Sequence, residues 1–145
     1  MKRHLIRINE LEFPASTNSS ARLESREGRV VLSAFVAADP EALANSDLPL
    51  DAYFDAFGVS VVDLPIQADA TRYSHSDALE SRHHVWAFLC HDHEGLERFV
   101  LDVHDGSVSF EGSFLLHDRD GVVTSMGISF ERFPLGALSR EDLKQ

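Results

Sequence analysis

From residue 83 onward, apolar and polar positions alternate in four runs, separated by three turn signals, Glu94-Gly95, Asp105-Gly106 and Asp120-Gly121. A period of two marks a half-buried strand, and an acid-Gly dipeptide between two such runs marks a hairpin. A two-residue turn at Glu94-Gly95 sets Trp86, Phe88 and Cys90 opposite Val103, Leu101 and Phe99. A second at Asp105-Gly106 sets Val103 and Leu101 opposite Val108 and Phe110. A three-residue loop, Arg119-Asp120-Gly121, sets Phe114, Gly112 and Phe110 opposite Met126, Ile128 and Phe130. A slip of one residue would turn every side chain over, so three turns agreeing on one apolar face predict a C-terminal four-stranded antiparallel meander.

The first half carries shorter signals. Residues 3–13 and 29–37 are β-branched and apolar enough to predict strands, and 59–66 predicts another. The polar stretch 14–28, rich in Ser and Asn, predicts a loop or mobile segment. Asp39 before Pro40 has the form of a helix cap, and after Pro49 a second capped turn at Asp51 would carry Tyr53, Phe54 and Phe57 and stop at Gly58. One or two short helices are expected across 40–57. The expected class is mainly β, possibly α+β: one domain over 1–145, built as an antiparallel sheet or partly open barrel.

Charge narrows the function. The 145 residues carry a formal net charge of -11, unevenly placed. Residues 1–30 hold six basic residues against four acids, whereas no Lys or Arg occurs between Arg29 and Arg72, a gap containing Asp39, Glu41, Asp47, Asp51, Asp55, Asp63 and Asp69. A field of that sign repels phosphate backbones and attracts basic surfaces, which argues against nucleic acid and for a basic protein partner. With Cys90 the lone cysteine, no internal disulfide forms. No apolar run approaches the ~18 residues of a membrane span, and the N-terminus lacks the apolar core of a signal peptide, so a cytoplasmic protein is expected.

Candidate chemistry concentrates in "HHVWAFLCHDHEGLE", residues 83–97. Within it "HDHEGLE" resembles the first motif of the cupin family, in which H-x-H, three intervening residues and E bring metal ligands onto adjacent strands of a small barrel. That resemblance implies His91, His93 and Glu97 as ligands for a divalent transition metal. The chain has Val85 where the family has a glycine, and residues 134–142 supply Pro134 and Gly136 but no second-motif histidine. The residues by themselves predict a solvated strand end and no cofactor. No Walker loop, dinucleotide fingerprint or paired-cysteine motif occurs, and no catalytic spacing stands out.

Two function classes follow. The first is a non-enzymatic acidic binding protein, of inhibitor or immunity type, whose Asp39, Glu41, Asp47, Asp51 and Asp55 engage a basic partner. The second is a small-ligand or metal-binding β-barrel, enzyme or carrier, using the polar sheet face. Short side chains leave room on that face, and Arg98, Asp102, His104 and Glu111 would orient a polar guest. An exposed sheet edge would also permit a homodimer.

Overall fold

A computed structural model describes residues 4–46, 57–67, 71–74, 81–89, 92–104, 106–117 and 120–136. The chain runs β1 (Leu5–Ile8), β2 (Leu11–Pro14), β3 (Ser20–Arg26), β4 (Arg29–Ala37), α1 (Pro40–Ala44), β5 (Phe57–Pro65) and β6 (Arg72–Ser74). A single 3-10 turn at Ser81–His83 precedes β7 (Val85–Leu89), β8 (Asp92–Gly95), β9 (Arg98–His104), β10 (Ser107–His117) and β11 (Val123–Pro134). Two antiparallel sheets result, of order β2-β1-β11-β10-β9-β6 and β3-β4-β5-β7-β8. They do not close into a barrel. Their inner faces share one buried cluster, with Phe57 of the five-stranded sheet meeting Phe114 of the six-stranded sheet at 5.6 Å between ring centroids.

The mainly β, antiparallel class is as expected, and the last three strands keep the register predicted from their turns. Val103 faces Val108, Leu101 faces Phe110, Gly112 faces Ile128, and Phe114 faces Met126. The two turn glycines, Gly106 and Gly121, take positive φ, a conformation that glycine adopts without steric cost.

The first strand of the predicted meander goes elsewhere. β7 pairs with β5, Val59 facing Ala87, and lies in the opposite sheet from β9. The chain reverses between Leu89 and Asp92, not at Glu94-Gly95, and Gly95 belongs to β8 opposite Trp86. The parity of β7 is therefore inverted. Val85 and Ala87 face the core, while Phe88 stacks on Phe35 at 4.6 Å outside the main cluster. The expected pairing of Cys90 with Phe99 falls outside the described residues. Affinity of one apolar run for another fixes the strand, not its neighbour, and β5 offers an equally apolar partner.

Three further expectations are corrected. Where a single strand was expected over 3–13, residues 5–14 form a hairpin turned at Asn9-Glu10 with Asn9 at φ 55. Residues 20–26, expected to be loop, form β3, joined to β4 by a two-residue turn in which Glu27 (φ 53) and Gly28 (φ 79) both take positive φ. That geometry matches the right-handed twist of the flanking strands, and Ala21 and Leu23 give the segment an inward face. Phe57 and Gly58 open β5 instead of ending a helix. The Asp39-Pro40 helix start is present in α1, whereas the second turn expected from Asp51 falls outside the described residues.

Both sheets use a bulge to place apolar residues three apart on one face. In β5, Val61 faces Ala34 and Leu64 faces Leu32, so Val62 and Asp63 together oppose Ser33. In β11, Phe130 faces Phe110 and Phe133 faces Val108, so Glu131 and Arg132 oppose Ser109. Asp63 and Arg132 sit at φ 50 and φ 51. Each has its backbone N–H aimed at a serine hydroxyl of the neighbouring strand, Ser33 at 3.4 Å and Ser109 at 2.9 Å. The extra residue re-aims the strand and increases its local twist. After β11 the chain crosses to the other sheet, where Gly136 pairs in parallel with Arg22, donating to the Ala21 carbonyl at 2.9 Å and accepting from the Leu23 N–H at 3.2 Å.

Candidate functional site

The outward face of the six-stranded sheet carries the candidate site, and its shape follows from alternation along four strands. With Val108, Phe110 and Phe114 turned inward, β10 presents Ser109, Glu111 and Ser113 outward. With Met126, Ile128 and Phe130 inward, β11 presents Gly127, Ser129 and Glu131. Register aligns these into rows. Arg7, Ser129, Glu111 and Val100 form one, Gly127, Ser113 and Arg98 a second, and Ser109, Asp102 and Arg72 a third. The two middle strands carry mostly short side chains and the flanking strands long ones. A trough of about 680 Å³ lies between them.

Its charges are balanced, unlike those of the chain as a whole. Arg7, Arg72 and Arg98 are matched by Asp102, Glu111 and Glu131 along the lining. Arg72 donates from Nε to Asp102 at 2.9 Å, and this hydrogen bond, then the carboxylate charge, raises the Arg72 pKa above its ordinary value. Arg7 reaches Glu12 outside the trough at 3.3 Å. Arg98 and Glu111 approach to 3.8 Å, beyond hydrogen-bonding range, with both side chains mostly exposed. Exposed pairs of that kind are screened and readily exchanged. Phe110 and Phe130 underlie the floor, their rings stacked at 5.7 Å and each 3% exposed.

Of the four ligand residues expected from sequence, the structure brings Arg98, Asp102 and Glu111 to this trough. His104 lies at the far end of β9, opposite Ser107, and does not line it. Arg7 and Arg72 come from strands distant in sequence and were not foreseeable from local pattern. Glu131 lies on the polar face by alternation alone.

The residues implied by the cupin resemblance divide between the sheets. His93 falls in β8, opposite Phe88 in the five-stranded sheet. Glu97 is exposed at the entrance to β9, its backbone N–H donating to the Ser113 carbonyl of the six-stranded sheet at 2.8 Å. His91 lies outside the described residues. Among the described residues, no group of three or more His, Cys, Asp or Glu side chains is placed to hold a metal ion. No helix among them is long and apolar enough to cross a membrane.

Of the acidic candidates, Asp39 serves the helix. Its carboxylate accepts from the Ala42 N–H at 3.2 Å and its carbonyl accepts from the Leu43 N–H at 2.9 Å. Replacing Asp39 by alanine is expected to cost about 1 kcal/mol, the usual loss for an N-cap carboxylate, read as a lower urea midpoint at unchanged slope. Glu41 is exposed in the first turn of α1, while Asp47, Asp51 and Asp55 lie outside the described residues. Comparison with protein-family models, curated proteins and solved structures finds no match to the chain.

Proposed function

We propose that the protein is a non-enzymatic binding protein whose acidic surface engages a basic protein partner, as an inhibitor or immunity-type protein would. The observation that carries this reading is the cation-free span between Arg29 and Arg72. Its described parts are β4, α1 and β5, and β4 and β5 are hydrogen-bonded neighbours. Asp63 within it is offset by Arg26 at 3.3 Å, and of the other described acids in the span Asp39 caps α1 and Glu41 lies in its first turn.

Such a surface steers and orients a cationic partner, and its contribution falls as salt screens it. The test is retention of a basic protein from host lysate on the immobilised chain, followed by purification of that protein and titration of the pair. Raising salt from about 50 to about 300 mM is expected to weaken binding at least tenfold. Charge reversal of Glu41, Asp47, Asp51 and Asp55 to lysine is expected to abolish it, while Glu111→Gln leaves it unchanged. Binding indifferent to both salt and charge reversal would refute the proposal.

A further inference from the structure

The strands repeat. Each of β1–β5 has a counterpart in β7–β11, in the same order along the chain. We infer that the chain is a fused dimer, two copies of one unit over residues 5–66 and 85–135, and that the surface by which each unit holds the other fits a second copy of the unit.

The topology carries this first. Read from hairpin to edge, one sheet runs β2-β1-β11-β10-β9 and the other β8-β7-β5-β4-β3. Each sheet therefore joins the hairpin of one unit to the last three strands of the other, the exchange that a two-fold axis between like units produces. Register agrees residue by residue. Ile6 faces Phe130 and Ile8 faces Ile128, as Val85 faces Val61 and Ala87 faces Val59. Ser33 faces Arg22 and opposes the bulge at Asp63, as Ser109 faces Asp102 and opposes the bulge at Arg132. A bulge resets the phase of a strand, so two bulges at one point of matched registers go beyond what simple alternation gives.

Hydrogen bonds outside the ladders repeat as well. The Ser16 N–H donates to the Ala37 carbonyl and the Glu97 N–H to the Ser113 carbonyl, both at 2.8 Å. Ile66 donates to Val30 and Leu135 to Gly106, both at 2.9 Å. After its last strand each unit crosses to the outer edge of the other. There the Leu23 N–H donates to the Gly136 carbonyl at 3.2 Å, and its counterpart, the Val103 N–H, to the Thr71 carbonyl at 2.7 Å. The sequence keeps the trace in β5 and β11, "GVSVVDLPI" at 58–66 against "GISFERFPL" at 127–135. Gly, Ser and Pro coincide, and the core residues Val59, Val61 and Leu64 match Ile128, Phe130 and Phe133.

The units differ where the acids lie. Past Ala38 the first unit leaves its sheet for α1, whereas β10 runs on from the counterpart Phe114 to His117. The acidic turn of α1 is thus an addition peculiar to the first unit. On the outward faces, a hollow of about 320 Å³ over β3–β5 is the counterpart of the trough, and every residue lining it matches one lining the trough. Ser33 and Ser60 match Ser109 and Ser129, while Phe35 and Val62 stand where the trough has Glu111 and Glu131.

The test reverses the order of the units in a chain that keeps all 145 residues. One permutant opens between Ala78 and Leu79 and joins Gln145 to Met1. The His4 ring lies 5.5 Å from that of Phe133, so the first and last described strands end near one another. A second permutant opens inside the first unit, between Glu27 and Gly28, with the same join, so the difference between the two reports the cut alone. The first is expected to unfold with the parent's slope and a urea midpoint within about 1 M of the parent's, and the second at least about 1 M below the first. Hydrogen exchange then reads the equivalence of the two hairpin seats. In the parent the β1–β2 hairpin, tethered to the fold at one end, is expected to exchange at least about tenfold faster than the β7–β8 hairpin, and in the first permutant the order is expected to reverse. Loss of fold in the first permutant, a second permutant as stable as the first, or an unchanged order of protection would each overturn the inference. None of these outcomes depends on the basic partner.

Discussion

Phe114→Ala is expected to remove about 3–5 kcal/mol of stability, the usual cost of emptying a buried phenylalanine site. The ring is fully buried and tilts at 60° against Phe57, which is also fully buried and comes from the other sheet. It is therefore one of the contacts that hold the two layers face to face. A domain of this size has about 5–15 kcal/mol in total, so about a fifth or more of the margin would go. Guanidinium unfolding should show the midpoint falling with the slope preserved. A loss below about 1 kcal/mol would mean that the two inner faces are not packed against one another at this point.

Gly58→Ala is expected to cost about 3 kcal/mol although it adds a single methyl group. A Cβ there would stand 2.2 Å from the Val36 carbonyl oxygen, 2.7 Å from the Ala37 Cα and 2.8 Å from Phe88 Cζ. The phenylalanine ring can swing aside, but the two backbone atoms belong to the hydrogen-bonded neighbour β4 and cannot move without distorting the ladder. Gly95 is the control, because a Cβ there meets nothing within 4 Å. Gly95→Ala should change stability by no more than about 0.5 kcal/mol. Thermal or denaturant unfolding of the two variants side by side decides the matter, and equal behaviour would contradict the close approach of β4 and β5.

Of the three dipeptides that made the C-terminal half legible, one misled. Asp105-Gly106 and the loop ending at Gly121 join strands that are neighbours in one sheet, so local turn chemistry and global pairing agree. Glu94-Gly95 has the same composition without being a turn, because Gly95 is held in extended pairing with Trp86. Glu27-Gly28 is the true turn of that type, and it was hidden by flanks in which Ala21 and Leu23 are the main inward residues. The bulges at Asp63 and Arg132 explain a different kind of opacity. Strict alternation would put Phe133 on the opposite face from Phe130, yet both are buried because one extra residue resets the phase.

The candidate trough was legible to the extent that it depends on alternation within single strands. Arg98, Asp102 and Glu111 follow from the inward placement of Phe99, Leu101 and Phe110. Arg7 and Arg72 reach it through the pairing of β1 with β11 and of β6 with β9. Those pairings join segments far apart along the chain, and no local pattern encodes them.

The cross-over that brings Gly136 onto β3 has a consequence for self-association. Among the described residues, three of the four outermost strands, β2, β6 and β8, are four residues long or shorter, too brief to template another chain. β3 is the exception at seven residues, and Gly136 occupies the Ala21 carbonyl and the Leu23 N–H near its middle. A strand from a neighbouring molecule would have to displace the protein's own chain to nucleate a fibril-like ladder there.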